Sequence, residues 1–137
     1  SEDVDEIEVD KEITKVMGVS LVKMQYKPED MILKKYSVDS EQRRVILFYQ
    51  YGEQVIRYTM YTNSKDSSLG QKTVDNLTNV YEIENKGKKI QVEEYEVKNT
   101  KEKRYIAEFE YKDVQYQLKG IMEKDEFEKI LKNLFFV

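Results

Sequence analysis

Most of this chain consists of short segments in which apolar and polar residues alternate, and this two-residue period constrains its fold more than any other feature. The clearest pair is residues 43–51 and 54–62, which are separated only by Gly52-Glu53 and therefore predict a β-hairpin. Because side chains alternate between the two faces of a strand, one face of each segment carries the large residues. These residues are Val45, Leu47, Tyr49 and Tyr51 on the first strand, and Ile56, Tyr58 and Met60 on the second.

The same alternation recurs on both sides of this hairpin. Turn-forming residues such as Pro28, Gly87 and Asp113 separate the segments, as is typical of a sheet built from hairpins. The further predicted strands are residues 21–26, 31–38, 79–84, 88–98, 104–111 and 114–121. The sequence therefore predicts a mainly antiparallel sheet of about seven to eight strands.

A helical period appears only near the two ends of the chain. Val9, Ile13, Val16 and Met17 form the apolar stripe of a short N-terminal helix, and Gly18 suits the left-handed cap that follows it. The C-terminal helix is predicted from four apolar residues at helical spacing, namely Phe127, Ile130, Leu131 and Leu134. An antiparallel sheet needs something to cover its apolar face, so we expect an α+β fold with both helices packed on the sheet.

A chain of 137 residues is most simply one domain with a single core. We interpret residues 1–8 as an acidic linker or start and residues 9–137 as a single α+β domain. Residues 1–12 hold seven acids and one base, and subtracting them from the chain's 27 acids and 23 bases leaves 20 acids and 22 bases. Such interleaved charge argues against a nucleic-acid partner, which would require clustered Lys and Arg.

The chain contains no His, no Cys and no Trp, which removes most catalytic and metal chemistry. Catalytic dyads and triads that use His or Cys are excluded, and zinc, copper and haem sites lose their usual ligands. A site for a hard cation with oxygen ligands stays open. We therefore expect no catalytic residues, no metal site and no cofactor. One enzymatic alternative stays open, in which Glu94, Glu108 and Glu110 lie on strands where two carboxylates face each other.

No stretch of the sequence has the 18 or so apolar residues that a membrane-spanning helix requires, so we expect the chain as given to be soluble. It begins at Ser1 with an acidic, linker-like stretch. We therefore expect an upstream portion of the full-length protein, in which a membrane anchor or a secretion signal would stand. The oligomeric state is left open.

Eleven tyrosines are the first candidates for a ligand surface, because Tyr is favoured at recognition surfaces. We select Tyr49, Tyr51, Tyr58 and Tyr61, all on the aromatic hairpin, as candidate ligand-binding residues. The alternative interpretation is structural, since Tyr has high β-propensity and suits a half-buried sheet. Residues 63–76 form the longest irregular stretch and are a second candidate surface.

Three stretches of the sequence together suggest a family. They are Met17-Gly18-Val19 followed by residues 25–31, residues 55–58 leading into Asp66-Ser67-Ser68, and residues 107–109 followed by 114–120 ahead of Phe127, Ile130 and Leu131. In these stretches the chain resembles, over about residues 17–135, an extracytoplasmic domain of unknown function from Firmicutes. That domain is found C-terminal to a single membrane helix in anti-sigma-factor-like proteins, or in lipoproteins.

The resemblance implies an extracytoplasmic, membrane-tethered module with a curved antiparallel sheet and a C-terminal helix, and without established catalytic residues. Our leading hypothesis is a non-enzymatic sensing or protein-interaction domain of a bacterial protein, with an anti-sigma-type regulatory role. Its partner would be a protein or a cell-envelope ligand that contacts a sheet face, an edge strand or residues 63–76. The alternative hypothesis is a carrier for a lipid or another small hydrophobic ligand, held in a cavity between sheet and helix.

Overall fold

The computed structural model describes residues 4–62 and 75–137, which form two helices and nine strands. The helices are α1 (Glu6–Met17) and α2 (Lys124–Lys132). The strands are β1 (Lys23–Met24), β2 (Met31–Asp39), β3 (Arg44–Tyr51), β4 (Gln54–Tyr61), β5 (Asn76–Asn85), β6 (Lys88–Glu96), β7 (Lys103–Tyr111), β8 (Val114–Ile121) and β9 (Leu134–Phe135). The predicted α+β class with a mainly antiparallel curved sheet is confirmed.

Seven strands form one antiparallel sheet in the order β2-β3-β4-β8-β7-β6-β5, and β1 and β9 form a separate two-stranded ribbon. The large sheet consists of two meanders, β2 to β4 and β5 to β8, within which sequence neighbours pair. The meanders meet where β4 pairs with β8, from Arg57 opposite Lys119 to Tyr61 opposite Gln115. The predicted hairpin is confirmed, with Gly52 at φ +60° in its turn, where a residue without Cβ is least strained.

Both helices cover the same face of the sheet, which we call the inner face; the other is the outer face. Each helix buries a three-residue stripe, Val9, Ile13 and Met17 from α1 and Phe127, Ile130 and Leu131 from α2. These stripes pack in one cluster with the alternating large residues of the strands, as the sequence predicts. The ring of Phe127 stacks on Tyr105 of β7 at 5.0 Å between centroids.

The ends of the helices differ slightly from the sequence predictions. Helix α1 begins at Glu6 because the Asp5 side chain accepts a hydrogen bond from the Ile7 backbone N–H at 3.0 Å, so residues 6–8 of the predicted linker are helical. Residues 1–3 lie outside the described part of the chain. Helix α2 ends at Lys132, so the prediction that places Leu134 in this helix is wrong. Leu134 is still 97% buried, because it pairs with Met24 in the β1–β9 ribbon.

Other predicted boundaries also move. The strand predicted over residues 21–26 is only the two-residue β1, since it has only β9 to pair with. Strand β5 begins at Asn76, three residues before the predicted start at Asn79, and residues 63–74 of the predicted loop lie outside the described residues. Neither α1 nor α2, the two helices found in residues 4–62 and 75–137, has the length and apolar character to cross a membrane.

The close packing of Gly120 against the neighbouring strand leads to a stability prediction. A Cβ added at Gly120 would overlap Ile56 Cδ1 and lie 3.3 Å from Ile56 Cα on the paired strand. We therefore expect Gly120→Ala to lower the free energy of unfolding by about 1–3 kcal/mol, measured by urea denaturation. Adding Ile56→Val removes Cδ1, so the double variant should lose less free energy of unfolding than the two single variants lose in sum. If the two losses of free energy simply add, the overlap is contradicted.

Candidate functional site

The four candidate tyrosines do not share one surface. Tyr49, Tyr51 and Tyr58 point to the inner face, whereas Tyr61 lies on the outer face. Tyr49, Tyr58 and Tyr61 are only 4%, 2% and 1% exposed, which fits the structural interpretation of these residues. The Tyr58 hydroxyl donates to the Val22 carbonyl at 2.7 Å and so fixes the chain that leads into β1. Tyr51, which is half-buried, is the one of the four that lines an open cleft.

This cleft lies at one end of the sheet and has a volume of about 730 Å³. It is built from chain segments that meet there: the turn before β2, the β3–β4 turn, the β6–β7 connection and the start of α2. Its lining residues are Asp30, Tyr51, Gly52, Glu53, Gln54, Glu94, Glu102, Lys103, Tyr105, Ile121, Met122, Glu123 and Lys124. Its size is that of a ligand site.

A tyrosine–glutamate hydrogen bond closes one side of the cleft. The Tyr51 hydroxyl donates to the Glu123 carboxylate at 2.7 Å. Glu123 is the N-cap residue of α2, but its side chain makes no capping hydrogen bond. The hydrogen bond from Tyr51, followed by the one from its own backbone N–H, holds the pKa of Glu123 below its ordinary value. The Glu123 carboxylate is therefore directed to the cleft and ionised at neutral pH.

Glu94 is the centre of the opposite wall. Partial burial by itself raises its pKa, but hydrogen bonds from Thr78 and Tyr105 and the nearby ammonium groups of Lys124 and Lys103 outweigh that effect, so the pKa of Glu94 is lowered. Thr78 donates at 2.8 Å and Tyr105 at 3.2 Å, while Lys124 and Lys103 lie 3.7 and 3.9 Å from the carboxylate. Glu94 is thus a fixed anion.

The cleft as a whole is acidic. Five carboxylates line it against two lysines, which gives a net charge of −3. Ile121 and Met122 supply apolar surface beside them. Because Glu94 and Glu123 both have lowered pKa values, neither is suited to donate a proton near neutral pH. With its excess of carboxylates, the cleft is suited to bind cationic groups.

The structure does not bring the three carboxylates of the enzymatic alternative together. Glu94 lies opposite Tyr105 on the inner face, whereas Glu108 lies opposite Gln117 on the outer face. Glu110 is exposed and accepts a hydrogen bond from Gln115 at 2.9 Å. Within residues 4–62 and 75–137, no group of three or more carboxylates is placed to hold a metal ion.

Apart from Tyr51, sequence reasoning selected no residue of the cleft as a ligand-binding residue. Glu53, Glu102 and Glu123 lie in turns that are far apart in sequence, and they share an end of the sheet only because β4 pairs with β8. One signal in the sequence is that an acidic residue lies at or beside each of the turns that form the cleft, namely at Asp30, Glu53, Glu102 and Glu123. The strand order, however, is set by nonlocal pairing that the alternation pattern does not encode.

Comparison with known proteins adds one finding. A family model described as "Domain of unknown function (DUF4367)" matches residues 21–134, from just before β1 into β9. The match therefore covers the whole sheet, α2 and every lining residue of the cleft. Neither a curated protein nor a solved structure is significantly similar to the chain.

The hydrogen bond between Tyr51 and Glu123 leads to a titration prediction. Tyr51→Phe should raise the pKa of Glu123 toward its ordinary value, because the main group that stabilises the ionised form is lost. Carbon-detected NMR of the glutamate carboxyls measures this directly. Thr78→Val is the matched control, since it should raise the pKa of Glu94 and leave Glu123 unchanged. An unchanged Glu123 in Tyr51→Phe would contradict the assigned hydrogen bond.

The same carboxylates predict how stability depends on pH. A carboxyl whose pKa is lower in the folded than in the unfolded chain stabilises the fold above its unfolded value, and this contribution is lost as pH falls through its folded pKa. Glu94 and Glu123 therefore favour the folded state above about pH 4.3 and stop doing so at lower pH. Urea denaturation at a series of pH values should show that the free energy of unfolding falls less at acid pH for Tyr51→Phe than for the unaltered chain.

Proposed function

The chain belongs to the DUF4367 family of domains of unknown function, and on this premise we propose that it is a non-enzymatic binding module whose cleft holds a basic peptide segment of a partner protein. We assign this module a sensing or interaction role on the outside of a bacterial membrane, with anti-sigma-type regulation as its context. The placement outside the membrane and the regulatory role rest on the resemblance described above.

The observation that carries the proposal is the charge of the cleft. Its lining has a net charge of −3, although residues 13–137 carry more bases than acids. A cleft with low-dielectric walls and one sign of charge concentrates ligands of the opposite sign. Glu53 and Glu102 are exposed on turns at its rim, where lysine and arginine side chains of a partner can reach them.

The surface between these acids also suits a peptide. Lysine and arginine have long apolar stems, which bury well against apolar surface while the charged group stays in water. Ile121 is partly exposed and offers such surface, while Met122 and Tyr105 lie buried behind it and Glu94 holds the hydroxyl of Tyr105. The volume of about 730 Å³ accommodates two or three side chains of a bound segment.

The carrier hypothesis receives less support. The cavity lined by α1, β1 and the buried Tyr49 and Tyr58 has a volume of about 100 Å³. Ligand sites usually measure about 300–1,000 Å³, so this cavity is too small for a lipid chain. Native mass spectrometry of the purified domain tests the alternative, because a carrier should retain the mass of its ligand.

The proposal predicts selective, salt-dependent binding of basic peptides. Isothermal titration with a Lys- and Arg-rich decapeptide should show binding, whereas a decapeptide with Glu in place of the bases should not bind. The double variant Glu53→Gln, Glu102→Gln should weaken binding about two- to thirtyfold, since each of the two exposed ion pairs contributes roughly 0.2–1 kcal/mol. Raising the salt concentration should weaken binding further.

Glu41→Gln is the matched control, because Glu41 is equally exposed but lies on the β2–β3 turn at the opposite end of the sheet. It should bind the basic peptide as the unaltered chain does. Equal binding of the acidic peptide, or an equal loss in Glu41→Gln and the double variant, would refute the assignment of the cleft.

A further inference from the structure

The outer face contains two cations that are placed directly opposite each other. Arg57 on β4 and Lys119 on β8 are register partners, and both side chains point away from the helices. Like charges in this position repel and destabilise a sheet. Lys119 makes no ion pair within 4.0 Å in residues 4–62 and 75–137, and Asp75, which is bonded to Arg104, offsets the repulsion only in part.

A third cation completes the cluster. Arg104 on β7 lies diagonally across from Lys119, because Lys119 pairs with Ile106 two residues further along β7. Arg57, Arg104 and Lys119 line one cavity of about 210 Å³ together with Val55 and Gly120. Three positively charged side chains on three neighbouring strands thus line a space large enough for a small anion.

The carboxylates around this cavity do not neutralise it. Asp75 accepts a hydrogen bond from Arg104 Nε at 2.7 Å and accounts for one of the three charges. Glu108 accepts from Gln117 at 2.8 Å, and Glu93 accepts from the Tyr95 hydroxyl at 2.9 Å. Both are outside the cavity lining. The lining cations together with Asp75 therefore have a net charge of +2.

The cluster is also held in place before any ligand binds. The guanidinium of Arg57 lies over the Phe48 ring at 5.6 Å from its centroid, and the Lys35 ammonium lies over the same ring at 5.0 Å. Arg104 is fixed by Asp75. Burial, and then the neighbouring charges of Arg104 and Arg57, lower the pKa of Lys119. A bound anion would offset the repulsion among the three cations and so favour the charged form of Lys119.

We propose that Arg57, Arg104 and Lys119 form a binding site for a phosphate group on the outer face, separate from the acidic cleft. A phosphate monoester has a charge of about −1.5 to −2 near neutral pH, which matches the net charge of the cluster. Arginine guanidinium groups bind phosphate oxygens through paired N–H donors, and the lysine ammonium adds a point charge. The phosphate group is that of a soluble phosphate ester or of a lipid headgroup.

Two-dimensional ¹H–¹⁵N NMR tests the site with inorganic phosphate and with glycerol 1-phosphate as probes. Both should shift the resonances of residues around Arg57, Arg104 and Lys119 in a saturable way, and sodium chloride at the same ionic strength should not. Lys119→Gln should weaken binding about tenfold or more, as expected for loss of one charged contact. Lys98→Gln, which removes an exposed lysine from the β6–β7 connection, is the control and should leave binding unchanged.

Lys119→Gln also distinguishes lost binding from lost folding. Because it removes the repulsion with Arg57, the variant should be at least as stable as the unaltered chain in urea while binding phosphate less well. Flotation with vesicles that contain phosphatidylglycerol, against vesicles of phosphatidylcholine alone, then identifies the source. Selective flotation that Lys119→Gln abolishes supports a lipid headgroup, and phosphate binding without flotation supports a soluble ester.

Two results would overturn the site. One is the absence of saturable shifts around the three cations with either phosphate probe. The other is phosphate binding of equal strength in Lys119→Gln and Lys98→Gln, because the ligand would then be held elsewhere.

Discussion

The pairing of β4 with β8 is the constraint on which the rest of the structure depends. It joins two meanders that are each made of sequence neighbours, and only five register pairs, from Arg57–Lys119 to Tyr61–Gln115, make the connection. Because it sets the order of the seven strands, it decides which turns share an end of the sheet. The β3–β4 turn and the start of α2 form one cleft for this reason, although Tyr51 and Glu123 are 72 residues apart.

Tyrosine hydroxyls connect this sheet to the elements that cover it. On the inner face, the Tyr58 hydroxyl donates to the Val22 carbonyl and the Tyr116 hydroxyl accepts from the Val22 N–H at 3.2 Å. A buried backbone amide without a partner is costly, so these two bonds allow the segment before β1 to lie in the core without a strand beside it. The tyrosines that the sequence offers as ligand contacts are therefore mostly internal hydrogen-bonding residues, and Tyr81 binds Glu128 of α2 in the same way.

Local patterns predicted the elements well because each is encoded by its own residues. The alternation in residues 43–62 gives the hairpin, and Gly18 ends α1 at φ +76° as its lack of Cβ allows. Leu134 was misplaced because helical spacing continues past Asn133, whereas pairing with Met24 ends the helix. The cleft was not predictable beyond Tyr51, since Glu53, Glu94 and Glu123 become neighbours only through strand order, and no spacing in the sequence records that order.

Strand β8 lies between the two surfaces that the structure distinguishes. Lys119 points to the outer face and lines the cationic cavity, and Ile121, two residues later, lines the acidic cleft. Between them Gly120 packs against Ile56 so closely that a side chain does not fit, which fixes β8 against β4 at this point. A net charge of −3 and a net charge of +2 are thus held at a fixed separation by a rigid stretch of backbone. Since the two charges have opposite sign, a charged partner that approaches the domain would be oriented before contact. On the proposed assignments, an anion and a cation would not compete for the same residues.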